Sequence, residues 1–108
     1  MSAEQPNPQD IQPEAIIVER DDCYLSVIFR AEMGQIEKAF ILAVLKDKKI
    51  YQITQELRIA PSTLRSRIQA IKEDIVRKGG VWPIDSKALP YTLQQIGDIE
   101  ITKVPKTS

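Results

Sequence analysis

The chain has 108 residues, which suits one small domain with a modest core, and its 43% apolar and 28% charged residues are ordinary for a globular protein. Its longest unbroken apolar run, Ala39 to Leu45, is far short of the roughly 20 residues that a membrane-spanning helix needs, so no membrane partner is expected. Fifteen basic residues balance fifteen acidic ones, and a single cysteine and the lack of any histidine exclude an intrachain disulfide, a histidine-activated nucleophile and a cysteine-histidine zinc site.

Residues 1–14 carry Pro6, Pro8 and Pro13 among polar residues and no apolar period, which predicts a disordered tail. The opening MSAEQPNPQD has neither a basic start nor an apolar stretch, so it does not read as a secretion signal. Together with the cysteine count, this gives a cytoplasmic setting as the expectation. Ala15 to Glu19 and Tyr24 to Phe29 are rich in β-branched and aromatic residues, and a short polar link at residues 20–22 joins them, which predicts a β-hairpin. Gly34 then breaks the pattern.

Helical spacing begins at Ile36, with Phe40, Ile41, Val44 and Leu45 on the same face. A polar turn at residues 47–49 leads to a short second helix, Ile50 to Leu57. Three residues remain for a tight turn before Pro61, which suits the first position of a third helix. Leu64, Ile68, Ile71 and Ile75 line that helix at steps of four, three and four. It is expected to end near Lys78 with Gly79 and Gly80 as its cap. Beyond the glycines, Val81 to Ile84 and Tyr91 to Gln95 read as short strands, which Pro83 within the first and Pro90 before the second place at an edge. Asp98 to Thr102 is a third candidate strand, and residues 103–108 read as a second disordered tail.

The spacing I-x-x-x-L-x-I-x-x-x-T-L-x-x-x-I from Ile53 to Ile68 resembles the helix-turn-helix of bacterial transcription regulators, including response regulators and sigma-factor-like domains. The stretch from Gly79 to Leu93 looks like the wing of winged-helix repressors. The resemblance covers residues 36 to about 95 and departs from the pattern twice: Ala60 stands where a capping serine or threonine is usual, and the wing loop has no glycine at its tip. It implies a mainly α fold with small β elements, a winged helix-turn-helix over residues 15–102 with its helix-turn-helix core at 36–78. It implies sequence-specific binding of double-stranded DNA by a small transcriptional regulator of bacterial, phage or plasmid type. By that resemblance Ser62, Arg65, Ser66 and Gln69 on the third helix face base edges in the major groove. Lys48, Lys49, Thr63, Arg67 and Lys72 suit phosphates at the rim, and Lys87 lies on the wing.

Charge placement bears on the same question. Residues 46–78 carry nine lysines and arginines against Asp47, Glu56, Glu73 and Asp74, a surplus of five. Residues 1–45 carry an acidic excess of the same size. A local basic patch, rather than the total, is what attracts phosphate. A winged-helix protein-interaction module is the second reading, since the fold also serves complexes without DNA and the total charge is zero. A homodimer is expected, because one short helix reads too few base pairs. The hairpin and the C-terminal strands offer edges for it, and the hairpin is a further candidate surface for a protein partner. No enzyme activity and no cofactor are expected, since there is no glycine-rich phosphate loop and no paired catalytic set. Cys23 reads as a small buried residue at a strand start, and Trp82 as packing onto the core.

Overall fold

The computed structural model describes residues 15–83 and 85–106, so the tail expected at 1–14 and residues 107–108 of the other lie outside the described residues, as does Ile84. Two strands open it, β1 (Ile16–Glu19) and β2 (Cys23–Phe29). Three helices follow: α1 (Gln35–Leu45), α2 (Ile50–Leu57) and α3 (Pro61–Arg77). A 3-10 turn (Ser86–Ala88) runs into a short helix, α4 (Leu89–Gln95), and the strand β3 (Ile99–Pro105) closes the order. The described residues thus form a small α/β fold with four α-helices and one three-stranded sheet.

The sheet is antiparallel in the order β1-β2-β3, with β2 at its centre. Val18 pairs with Leu25, Val27 with Ile101, and Phe29 with Ile99. Side chains alternate faces along a strand, so Val18, Cys23, Leu25, Val27 and Ile99 turn inward together and are buried. Ile17, Tyr24 and Val104 turn outward to solvent. The inward face meets Phe40, Ile41, Val44 and Leu45 of α1, Leu64, Ile71 and Ile75 of α3, and Leu89 and Leu93 of α4 in one core.

The hairpin, α1, α2 and α3 lie where the apolar spacing places them, and Cys23 is buried at the start of β2. The segment after α3 differs. Residues 81–83 have no regular structure, and Tyr91 to Gln95 belong to a helix rather than a strand. Pro90 sits in the first turn of α4, where a missing N–H leaves no bond unmade. Leu89 and Leu93, one helical turn apart, are both buried against α1 and β3. The expected C-terminal wing is therefore absent as a strand pair. The third candidate strand does form, and it runs through Pro105 into what read as tail, because β2 offers a full edge from Cys23 to Phe29 for it to pair with.

All four helices end the same way. A left-handed residue donates its N–H three residues back, and the N–H of the residue after it bonds back five. Gly79 and Gly97 (both φ +86°) fill that position after α3 and α4. Gly80 N–H donates to the Ile75 carbonyl at 2.8 Å, and Asp98 N–H to that of Leu93 at 2.9 Å. After α1 and α2 the position falls instead on Asp47 (φ +61°) and Arg58 (φ +57°). Asp47 is held by Arg20 of the hairpin turn, which pairs with its carboxylate at 3.0 Å and donates to the Leu45 carbonyl at 2.9 Å. That side chain locks the hairpin onto the negative end of α1.

Candidate nucleic-acid interface

The corner between α2 and α3 is three residues long. Arg58 turns the chain, Ile59 N–H donates to the Thr54 carbonyl at 3.2 Å, and Ala60 carries the chain into α3. Ile53 and Thr54 on α2 and Leu64 on α3 are buried behind this corner. Because the apolar stripe of α3 faces inward, the opposite stripe is left to solvent. It consists of Ser62, Arg65, Ser66 and Gln69, all four of them exposed. Among the described residues, the side-chain hydrogen bond that these four make is from Gln69 Nε2 to Glu73 at 3.5 Å, the outer limit of a hydrogen bond.

The rim residues divide. Arg67 is exposed on α3 and, like Arg65, has no ion-pair partner among the described residues. Thr63 is half-buried. Lys72 is half-buried too, with its ammonium 6.0 Å from the ring centre of Trp82, at the outer reach of a cation–π contact. Trp82 itself packs against the core. Lys48 forms an ion pair with Glu56. Lys49 is exposed at the start of α2, where its N–H donates to Gln52 Oε1 at 2.8 Å. Lys87 lies on the 3-10 turn rather than on a wing, and its N–H donates to Asp85 Oδ1 at 3.0 Å. The fold brings Lys48, Lys49 and Lys87 to one cleft between α1, α2 and that turn. Ser62, Arg65, Ser66 and Gln69 stay together along the first turns of α3.

No family model, curated protein or solved structure matches this chain.

Electrostatics separates the two ends of α3. From Leu57 to Lys72 there is no acidic residue, and four basic ones fall in that span. The positive end of α3 has neither a side-chain cap nor an acid in its first turn. Its far end is neutralised: Lys78 bonds to both oxygens of the buried Asp98 at 2.9 Å and pairs with Asp74 at 3.0 Å. These bonds, first to Asp98 and then to Asp74, raise the Lys78 pKa above the usual lysine value. Desolvation pushes Asp74 upward, but Lys78 and Arg77 together outweigh it and hold its carboxyl below the usual range.

Arg58 is the basic residue that reading the sequence missed. It is exposed at the corner and has no ion-pair partner among the described residues. A signal for it existed. A three-residue turn after a helix needs one left-handed residue, and a β-branched Ile59 is a poor one. Among the described residues no group of three histidine, cysteine or acidic side chains could hold a metal ion. No helix among them is long and apolar enough to cross a membrane.

Proposed function

We propose that the chain is a sequence-specific double-stranded DNA-binding protein acting as a small transcriptional regulator, with α3 entering the major groove. The observation that carries this reading is the exposed face of Ser62, Arg65, Ser66 and Gln69 behind a three-residue corner, in a span without acids. Arg65 can donate two hydrogen bonds to guanine, and Gln69 can pair with adenine. Arg58, Arg67, Lys49 and the uncapped start of α3 suit backbone phosphates. Of a winged helix-turn-helix, this reading needs the three-helix core; the segment that follows α3 and carries Lys87 takes the wing's place in chain order without its strands. The regulator works as a homodimer, because one such helix reads too few base pairs for tight specificity. The outward sheet face, with Ile17, Tyr24 and Val104 exposed, leaves α3 clear when it is buried between subunits.

A second reading, a protein-interaction module in a larger complex, is favoured by Ile50, Tyr51, Val76 and Val81, large apolar residues at least half exposed on the helical side. One titration separates the two. Binding to mixed duplex DNA is measured at low and moderate salt, with sedimentation of the same samples. Under the DNA reading the logarithm of affinity falls linearly with that of salt, by about 0.9 per phosphate contact, and the protein loads in pairs. No binding to any duplex at low salt overturns it in favour of the interaction module.

A further inference from the structure

The cleft that gathers Lys48, Lys49 and Lys87 has a second character that backbone phosphate does not use. Its floor is apolar and reaches the core: Phe40, Val44 and Ile53 line it, and Ile50 stands half exposed at its edge. Its volume, about 340 Å³, lies in the range of small-ligand pockets. The charges on its rim are unequal in availability. Asp47 is paired with Arg20 and Lys48 with Glu56, while Asp85 accepts the Lys87 N–H and keeps its charge. Lys49 and Lys87 have no ion-pair partner among the described residues, and Ser86 is exposed between Asp85 and Lys87.

We infer that this cleft binds a small organic anion, an aromatic or branched-chain carboxylate whose apolar body rests on Phe40, Val44, Ile50 and Ile53 and whose charge is held by Lys49 and Lys87. The combination selects for both halves of such a molecule. A bare inorganic anion gains nothing from the floor, and a neutral apolar molecule gains nothing from the two ammonium groups. The site does not depend on the DNA-binding reading, although a ligand here engages Lys49 and so competes with DNA for that cation.

The test uses the full chain without DNA. Amide shifts are followed by NMR while 3-phenylpropionate or 4-methylpentanoate is added, with 3-phenylpropanol and inorganic phosphate as comparisons. Saturable shifts are expected around the cleft, at residues 40, 44, 47–53 and 85–88, with the alcohol and phosphate each at least about tenfold weaker, the factor that one charge-assisted hydrogen bond supplies. In a Lys49→Gln/Lys87→Gln double variant, the acid should bind no better than the alcohol while shifts elsewhere stay at their original positions. Equal binding of acid and alcohol, phosphate binding as tightly as the acids, scattered shifts, or no saturable shift with either acid each overturn it.

Discussion

The two halves of α3 are built to opposite specifications. From Ile71 onward the helix is fixed by two fully enclosed contacts and a closed ionic cluster. Ile71 and Ile75 are buried, Lys78 is clasped by Asp98 and Asp74, and Gly79 and Gly80 seal the end. From Pro61 to Ala70 only Leu64 is buried, the first turn lacks a cap, and Arg65 and Arg67 are left without ion partners among the described residues. One end is anchored, and the other is left open to solvent. A side chain that must trade water for a base edge or a phosphate does so most readily when no intramolecular partner has to be given up first.

Three substitutions can break or sharpen that contrast. The largest effect belongs to the anchored half: Ile75→Ala opens a cavity at a fully buried site and should cost about 2–5 kcal/mol in urea unfolding. An effect below 1 kcal/mol would mean that this half is not the anchor. In the presented half, Arg65→Ala should leave the unfolding midpoint unchanged while weakening binding to a preferred duplex by roughly 1–3 kcal/mol and relaxing base choice at one position. Unchanged affinity and unchanged preference would put the reading face elsewhere. The smallest effect comes from the corner between them. Arg58 holds a left-handed conformation that costs a non-glycine residue about 1 kcal/mol, so Arg58→Gly should stabilise the fold by up to that amount. If Arg58 touches phosphate, the same change lowers affinity for all duplexes alike, which a salt titration reads as a shallower slope.

Helices α1 to α3 were legible because each presents an apolar stripe that repeats at helical spacing. Leu64, Ile68, Ile71 and Ile75 span three turns and admit no other period. The short helix α4 has seven residues, fewer than two turns. Over so short a span, Tyr91 and Leu93 at a two-residue step compete with Leu89 and Leu93 at a four-residue step, and sequence cannot rank them. Burial against α1 and β3, elements far away in the chain, decides for the helix. The same holds for Lys103, Val104 and Pro105 at the end of β3, too short a stretch to show a period until β2 supplies a partner for it. At the candidate site, exposure of the α3 face followed from the stripe opposite it. The pairing of Lys48 with Glu56, the approach of Lys72 to Trp82 and the meeting of Lys87 with Lys49 all depend on tertiary geometry.

The position of β2 has a consequence for how the molecule is made. Its partner on one side, β1, lies three residues before it; its partner on the other, β3, lies about seventy residues later, with every helix in between. Local hairpin pairing is fast, whereas closing a loop of that length is slow and carries the entropy of the whole intervening chain. During synthesis the hairpin and α1 to α3 emerge first, and until residue 105 has been made, one long side of β2 stays open from Cys23 to Phe29. That edge is a template for any other extended segment nearby, so a growing or truncated chain is at its most aggregation-prone while it is nearly complete.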